Sequence, residues 1–452
     1  MISMSLSKAA IATKSNFNGK DIIFSGCSTD SRTIEKGNLF IALKGDYFDG
    51  HEYVSVAEEN GASSLMVERE VSHTKPMLKV KDTRKAMGLL ARSWREAMTI
   101  PLIAITGSNG KTAVKEMVSS ILSEISEVHA TSGNLNNDIG VPLTLFGLDK
   151  KHQYAVIEMG ANHPGEIEWL SAIARPNVAV ITQCAPAHLE GFGGIEGVAK
   201  AKAEIYSGLP SSGTAIINAD DAFADFWRAS CKHLNQLTFG IESIHADVCA
   251  KNIEISTKDV SAQFELISIQ GSIKIRLPLS GMHNVMNALA ASACCLTLDV
   301  PLVSIKSGLE NVSPIKGRLQ LKTGKQGARI IDDTYNANPT SLSAALNVLS
   351  HYEGSRYLVL GDMGELGETA VQHHKAAGEL ARQAGIDGLF TMGDLSFNAS
   401  QGFGPGSFHF DSYKALDKAL INILNKDTTI LIKGSRAMQM ERVVNSLTEE
   451  QG

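Results

Sequence analysis

Short apolar segments alternate with helical patterns along most of this chain, and this alternation limits the folds it can adopt more than any other feature. The segment 111–125 places Val114, Met117, Val118 and Ile121 at helical spacing, so it forms one apolar helical face. Continuous, β-branched apolar runs are typical of parallel strands that are buried on both faces of a sheet. The pattern therefore predicts a doubly wound α/β fold. The first series of predicted strands is 102–106 (LIAIT), 154–159 (YAVIEM), 178–182 (VAVIT) and 214–218 (TAIIN).

The strand pattern divides the chain into three modules. A second series of predicted strands comprises 328–332 (ARIID), 357–360 (YLVL), 388–392 (GLFTM) and 428–433 (TTILIK), and the segment 312–318 (VSPIKGR) is a candidate linker before it. The first hundred residues predict a smaller α/β module with strands at 21–24 and 38–43. At about 150 residues per domain, 452 residues also favour three domains. The predicted domains are 1–100, a mostly parallel central domain over 101–314, and a Rossmann-like domain over 315–452.

Charge and composition exclude several classes of protein. The chain has 42 lysine and arginine residues and 48 aspartate and glutamate residues, so its net charge is 42 − 48 = −6. It therefore lacks the basic footprint of a nucleic-acid-binding protein. No apolar run approaches the 18 or so residues that a membrane-spanning helix needs, and the first residues do not resemble a signal peptide. Six scattered cysteines without a CxxC pair predict reduced thiols. These features favour a cytoplasmic protein that binds neither nucleic acid nor membrane.

A glycine loop follows the first strand of the central module directly. Strand 102–106 leads into Gly107, and the predicted helix begins at Lys111. Backbone N–H groups and the helix dipole in this context favour a bound phosphate. Lys111 can reach the β and γ phosphates and Thr112 can ligate Mg²⁺. Position 105 is isoleucine rather than the glycine of the full GxxxxGK[ST] pattern, so an ordinary glycine turn remains the alternative.

Two further polar residues follow strands of the same module. Glu158 lies near the end of strand 154–159, and His188 follows strand 178–182 by six residues. Both are expected at the carboxyl edge of the sheet, where α/β sites form. A carboxylate and an imidazole there are candidate metal ligands. An exposed histidine without a function is the alternative for His188.

Six segments, taken in order, resemble the motifs of the Mur ligases, the ATP-dependent amide-forming enzymes of peptidoglycan synthesis. The resemblance covers essentially the whole chain, and it implies three domains that share one active site. The segments are 106–112 (TGSNGKT), 133–142 (GNLNNDIGVP), 158–166 (EMGANHPGE), 188–193 (HLEGFG), 283–287 (HNVMN) and 332–339 (DDTYNANP).

Two features point to one branch of this family. Segments 29–32 (TDSR) and 37–45 (GNLFIALKG) resemble its uridine-binding module, and the DNPR motif of MurE-type ligases is absent. Segments 332–339 and 361–367 (GDMGELG) resemble the members that add D-alanyl-D-alanine. The implied function is ATP-dependent addition of D-alanyl-D-alanine to UDP-N-acetylmuramoyl-tripeptide through an acyl phosphate, the last cytoplasmic step of pentapeptide-precursor synthesis, by a monomer. A MurE-type ligase, a folylpolyglutamate-synthase-like ligase and a nucleotide-sensing module without turnover remain alternatives.

The resemblance also implies roles for residues of the central module. Lys111 would neutralise the transferring phosphoryl group, Thr112 and Glu158 would bind one Mg²⁺, and His188 would bind a second. Lys202 resembles the carbamylated lysine of the family and would serve the second metal. Lys200 is its competitor, since residues two apart on a helix point to different sides, and two solvated lysines are the alternative. The nucleotide-binding residues implied in this module are Gly107, Ser108, Asn109, Gly110, Lys111, Thr112, Ala113 and Asn287, with Asn287 at the adenine and His283 in the same motif.

The third module is expected to close over ATP and to bind the incoming D-alanyl-D-alanine. Arg318 resembles an arginine that approaches the phosphates, where a permanently charged guanidinium fits well. Asp333 resembles a contact on the ribose or hinge side. The residues implied for the substrates are Ser31, Arg32, Lys44 and Gly45 at the uridine diphosphate, Asn134, Asn136 and Asn137 at the muramoyl part and diphosphate, and Tyr335, Asn336 and Asn338 in the joint active site. The three asparagines of the GNLNN loop are equally typical of turns.

Overall fold

The computed structural model describes residues 1–186, 189–243, 245–256 and 260–449, apart from the side chain of residue 189. Their strands form four sheets, of two, five, nine and six strands. In these parts of the chain no helix is long and apolar enough to cross a membrane. We call the part of the chain before residue 100 the N-terminal unit. The nine-stranded sheet with its helices is the middle unit, and the six-stranded sheet with its helices and connecting loops is the C-terminal unit.

The N-terminal unit holds two small sheets. Strands β1 and β3 pair antiparallel, and the other sheet has the order β2-β7-β6-β5-β4. The predicted strands at 21–24 and 38–43 correspond to β3 and β5, each of only three residues. The elements are β1 (Ser3–Ser5), α1 (Leu6–Thr13), β2 (Asn16–Asn18), β3 (Ile23–Ser25), β4 (Cys27–Ser28), β5 (Leu39–Ile41), α2 (Val54–Glu59), β6 (Ser64–Val67), β7 (Met77–Lys79) and α3 (Thr83–Glu96).

The middle unit is built on one mixed sheet with the order β16-β15-β14-β13-β12-β11-β8-β10-β9. Neighbouring strands between β9 and β14 in this order are parallel, whereas the pairs β14–β15 and β15–β16 are antiparallel. Its elements are β8 (Leu102–Thr106), α4 (Lys111–Ser123), β9 (Val128–Ala130), α5 (Gly140–Phe146), β10 (Tyr154–Glu158), α6 (Glu166–Ala174), β11 (Val178–Ile181), α7 (Leu189–Phe192), α8 (Ile195–Ala203), β12 (Thr214–Asn218), α9 (Ala224–Ser230), β13 (Asn235–Gly240), β14 (Val248–Ser256), β15 (Ser261–Ser268), β16 (Gly271–Leu277), α10 (Met282–Leu296) and α11 (Leu302–Glu310).

The C-terminal unit has a sheet with the order β17-β18-β22-β19-β20-β21, in which only β17 is antiparallel to its neighbour. Its elements are β17 (Gln320–Thr323), β18 (Arg329–Asp333), α12 (Pro339–Ser350), β19 (Ser355–Gly361), α13 (Ala370–Gln383), β20 (Gly388–Met392), α14 (Phe397–Phe403), β21 (Ser407–Phe410), α15 (Tyr413–Ile421), β22 (Thr428–Lys433) and α16 (Glu441–Leu447).

The predicted α/β class is confirmed, and the reason is visible in the burial of the strands. All five residues of β8 are buried, and four of the five in β10 and in β12 are buried. Apolar side chains on both faces of the middle sheet pack against helices and form two separate cores. Because β10 and β11 lie on either side of β8, the carboxyl end of β8 is a topological switch point, where α/β sheets bind ligands.

A buried arginine joins the N-terminal unit to the middle unit. Arg95 of α3 donates from Nε to the carbonyl of Ala174 at 3.0 Å and from Nη2 to Oδ1 of Asn177 at 3.3 Å. Its Nη1 also donates to the carbonyl of Met98 at 2.6 Å. Burial lowers the pKa of Arg95 to about 10, and the nearby Arg175 adds to the effect. The guanidinium therefore satisfies several buried acceptors at once.

We expect Arg95→Met to lower the free energy of unfolding by about 2–4 kcal/mol, because buried acceptors lose a charged donor. The control is Arg92→Met on the same helix. Arg92 forms an exposed pair with Glu96, and such pairs contribute about 0.5 kcal/mol or less. Chemical denaturation of both variants measures the difference. Equal stability of the two variants would contradict this role of Arg95.

Candidate active site

One large cavity, of about 1580 Å³, lies where the three units meet. It is bordered by the carboxyl ends of β8 and β10 from the middle unit and of β18 and β22 from the C-terminal unit. The N-terminal unit contributes Asp82, Arg84 and Lys85. The cavity therefore lies at the switch point of the middle sheet and faces the matching edge of a second parallel sheet.

The loop between β8 and α4 has two positions that only glycine can occupy. A Cβ on Gly107 would lie 1.8 Å from Oγ1 of Thr182, and one on Gly110 would lie 2.5 Å from Oδ1 of Asn287. Both glycines also have positive φ angles, of 151° and 82°. Oγ1 of Thr182 donates to the carbonyl of Asn109 at 2.5 Å. These contacts hold the loop against β11 and α10 at the start of α4, in the shape expected of a phosphate cradle.

Lys111 begins α4 and lines the cavity. Its Nζ donates to the carbonyl of Gly107 at 2.8 Å. Burial lowers its pKa, the charge of Glu158 opposes this shift, and the charge of Arg318 adds to it. An anion in the cavity would stabilise these neighbouring cations.

Glu158, at the end of β10, keeps one carboxylate oxygen without a hydrogen bond. Nδ2 of Asn136 donates to its Oε1 at 2.8 Å, whereas the buried Oε2 has no partner. Thr112 lines the same cavity. His188, the other predicted metal ligand of this edge, lies outside the described residues. Among the residues that the structure does describe, no three His, Cys, Asp or Glu side chains cluster so as to hold a metal.

Lys202 and Lys200 on α8 point to opposite environments. Lys202 is 5% exposed and lines the cavity, whereas Lys200 is exposed to solvent. Burial lowers the pKa of Lys202 to about 7, and the positive charge of Lys111 contributes to the shift. The structure therefore brings Lys202, and not Lys200, to the candidate site.

Two side chains of the C-terminal unit contact the glycine loop directly. Nη2 of Arg318 donates to Oγ1 of Thr112 at 3.2 Å, and Nδ2 of Asn338 donates to Oδ1 of Asn109 at 2.7 Å. The guanidinium carbon of Arg318 lies 4.2 Å from the ring centre of Tyr335, within the range of a cation–π contact. The C-terminal unit thus covers the loop.

Asp333 and Lys433 end neighbouring parallel strands and form a buried ion pair. Nζ of Lys433 lies 2.5 Å from Oδ2 of Asp333 and also donates to the carbonyl of Asn336 at 3.0 Å. The other oxygen of Asp333 accepts from the backbone of Leu319 at 3.2 Å. Leu319 follows the predicted linker and has a φ of 48°. Both oxygens of Asp333 are therefore engaged by groups of the C-terminal unit.

Three models of Mur ligase domains match the chain. The Mur ligase family catalytic domain matches residues 23–95, the Mur ligase middle domain matches 105–295, and the Mur ligase glutamate ligase domain matches 317–436. The UDP-N-acetylmuramoyl-tripeptide–D-alanyl-D-alanine ligase of Escherichia coli K12 is 42% identical over 450 residues, which cover 99% of both chains. The chain belongs to the Mur ligase family.

Solved structures agree with this assignment. A MurF structure from Acinetobacter baumannii matches with a TM-score of 0.94 and 39% identity, over 99% of both chains. The MurF ligase of Thermotoga maritima, solved in complex with ADP, matches with a TM-score of 0.83 and 28% identity, over 93% of this chain and 96% of that one. This Mur ligase therefore shares its complete fold with both proteins.

The asparagines of the GNLNN loop have different surroundings in this Mur ligase. Asn136 bonds Glu158, whereas Oδ1 of Asn137 accepts from the backbone N–H of Gly140, the first residue of α5, at 2.9 Å. Asn134 is exposed, and all three line the cavity. The turn-forming alternative thus describes Asn137 best.

The predicted uridine-binding residues lie apart from the residues that line the cavity. Ser31 is buried, and its carbonyl accepts from Nδ2 of Asn60 at 2.9 Å. Arg32 is exposed and pairs with Asp30 at 2.7 Å. The hydrogen bonds from Arg32 lower the pKa of Asp30 to about 2. Lys44 is exposed and Gly45 packs against Phe48.

The sequence analysis did not identify Lys115, which lies one turn after Lys111. Lys115 is 3% exposed and lines the cavity, and its Nζ donates to the carbonyl of Thr131 at 2.7 Å. Oγ1 of Thr131 in turn accepts from the backbone N–H of Glu158 at 3.0 Å. Lys115 therefore links α4 to Thr131, which contacts Glu158 and precedes the GNLNN loop. Its spacing alone shows nothing unusual, so only the fold reveals this contact.

We expect Lys115→Met to lower ligase turnover about tenfold or more, because a charge-assisted hydrogen bond that positions Glu158 is lost. Lys115→Arg keeps the charge and should restore part of the rate. The control is Glu116→Gln, which removes the exposed partner at 2.7 Å but keeps the bond to Thr131. Initial rates and thermal melting of the three variants separate positioning from stability. Normal turnover in Lys115→Met would refute the role.

Proposed function

We propose that this Mur ligase uses ATP to join D-alanyl-D-alanine to UDP-N-acetylmuramoyl-tripeptide, as a monomer in the cytoplasm. The observation that carries the proposal is the contact of the C-terminal unit with the glycine loop, through Arg318 and Asn338. It is supported by full-length likeness to ligases named for this reaction and by an ADP complex of one of them. We also propose domains at 1–100, 101–314 and 315–452, since no sheet is shared between the three units.

The reaction couples two transfers. A carboxylate oxygen of the tripeptide attacks the γ-phosphorus of ATP, the bond to the leaving ADP breaks, and an acyl phosphate forms. The amine nitrogen of the dipeptide then attacks the acyl carbon, inorganic phosphate leaves, and the nitrogen loses its proton. Lys111 and Arg318 neutralise charge on the transferring phosphoryl group, which is the main requirement of such transfers. Asn287 contacts the adenine.

Thr112 and Glu158 would hold a Mg²⁺ at the nucleotide site. The buried Oε2 of Glu158 has no hydrogen-bond partner and is therefore a free acceptor facing this region. Mg²⁺ in nucleotide sites is typically held by one or two protein oxygens together with phosphate oxygens, so a larger protein cluster is not required. When bound, the ion supplies charge neutralisation and orients the phosphates. A second ion would involve His188 and Lys202.

We propose that Lys202 is carbamylated. Its amine nitrogen attacks carbon dioxide, a nitrogen–carbon bond forms, and a proton leaves, so that a carboxylate replaces the cation. Burial of Lys202 beside Lys111 supports this proposal, because a buried cation next to another is costly and a carbamate removes the repulsion. No described side chain forms an ion pair with Lys202 that would hold it as an ammonium.

An amine panel tests the proposed function. We expect ADP release only when the tripeptide nucleotide and D-alanyl-D-alanine are both present, with D-alanine, L-lysine, diaminopimelate and L-glutamate inactive. Without the dipeptide, the acyl phosphate should be trapped by borohydride reduction. Turnover with diaminopimelate or L-lysine would instead indicate a MurE-type ligase, and turnover with L-glutamate a folate-type ligase. ATP binding without any turnover would indicate a nucleotide-sensing module.

Lys202→Ala tests the carbamate. We expect loss of most activity with the fold preserved, since a helix accepts alanine readily, and partial rescue by acetate or another short acid that replaces the anion. Lys200→Ala is the matched control on the exposed side of α8 and should remain active. Mass spectrometry of the native protein in bicarbonate measures the added carbon dioxide directly. An inactive Lys200→Ala or a fully active Lys202→Ala would contradict the assignment.

A further inference from the structure

Two carboxylate oxygens around the cavity are buried and accept no hydrogen bond from the described residues. They are Oε2 of Glu158 and Oε2 of Glu441. A buried acceptor without a partner is costly, so its persistence in a functional cavity calls for a ligand that pairs with it. Glu158 lies near the glycine loop, and we have proposed that it binds Mg²⁺. Glu441 has no role in the mechanism proposed above.

Glu441 belongs to the opposite wall of the cavity. It is the first residue of α16, eight positions beyond the end of β22, and so lies at the carboxyl edge of the C-terminal sheet. Its Oε1 lies 3.0 Å from Nη1 of Arg436, which also lines the cavity. The guanidinium anchors one oxygen, while the other oxygen accepts no hydrogen bond from the described residues.

The other acids that line this wall have both carboxylate oxygens engaged. Asp332 pairs with Lys322 at 2.7 Å and accepts from Thr334, and Asp333 pairs with Lys433. Their oxygens face partners from their own sheet. Glu441 is therefore the carboxylate of this wall that retains binding capacity for a cationic group.

We infer that Glu441 binds the ammonium group of the incoming amine substrate and that Arg436 is its positioning residue. This inference rests on the proposed function, in which the incoming dipeptide brings an ammonium group to the C-terminal unit. The unpaired carboxylate oxygen of Glu441 can accept a charge-assisted hydrogen bond from that ammonium. The role is recognition of the amine before it loses a proton and attacks.

Glu441→Gln is the direct test, because it keeps the size of the side chain and removes its charge. We expect the KM for D-alanyl-D-alanine to rise about tenfold or more, as for loss of one charge-assisted bond. The KM values for ATP and the sugar nucleotide and the Mg²⁺ midpoint should stay within about twofold. Borohydride trapping of the acyl phosphate without the dipeptide should match the unaltered enzyme, since that step needs no amine.

Two further variants complete the design. Arg436→Gln removes the guanidinium that anchors Glu441. It should raise the KM for D-alanyl-D-alanine, but by less than Glu441→Gln does, and leave the other KM values unchanged. It also serves as the second test if Glu441→Gln fails to fold. Glu116→Gln is the control, since Glu116 also lines the cavity but lies on α4 of the middle unit. It should leave the KM for the dipeptide unchanged.

The outcomes separate the two proposals. If the unaltered enzyme shows no turnover that depends on D-alanyl-D-alanine, the proposed function fails. If it does, and Glu441→Gln keeps a normal KM for the dipeptide, the role of Glu441 is refuted. A shifted Mg²⁺ midpoint with an unchanged KM would make Glu441 a metal ligand and would also refute amine recognition.

Discussion

The candidate site depends on two parallel sheets that face each other with their carboxyl edges across one cavity. Each edge presents a polar residue at the end of a buried strand, Glu158 of β10 in one sheet and Asp333 of β18 in the other. Parallel strands place all such residues at one edge, so a site shared between two units needs only that these edges meet. Arg318 and Asn338 provide the contacts that bring them together.

Buried cations around this cavity are compensated in different ways, and the difference separates structural from chemical roles. Lys433 is neutralised by Asp333, and Lys115 donates to a carbonyl and pairs with Glu116. Among the described residues, Lys111 donates to a carbonyl of its own loop, and burial lowers the pKa of Lys111 and of Lys202. The first two cations hold the architecture, while the last two leave positive charge available to anionic ligands or to modification.

Sequence patterns predicted the buried strands of the middle and C-terminal sheets well, but missed the half-exposed extension of the middle sheet and the buried strand β6 of the N-terminal unit. Strands β8, β12, β20 and β22 match their predicted bounds, because continuous β-branched runs mark strands buried on both faces. Strands β13 to β16 were not predicted. The antiparallel end of the middle sheet, from β14 to β16, carries mixed polar and apolar residues. In β14, for example, only two of nine residues are buried. Such strands are stabilised by pairing with neighbours that the local sequence does not identify.

The sequence by itself determined the α/β alternation, the glycine loop and the family, since these depend on residues close together in the chain or on motifs in order. Helical spacing also implied that Lys200 and Lys202 point to different sides, and the resemblance to the family favoured Lys202. Only the tertiary structure decided which distant side chains meet. Arg318 and Thr112 are 206 positions apart, and Asn338 and Asn109 are 229 apart. The free acceptor on Glu441 likewise exists only because folding buries that oxygen and pairs the other, and no local pattern encodes either event.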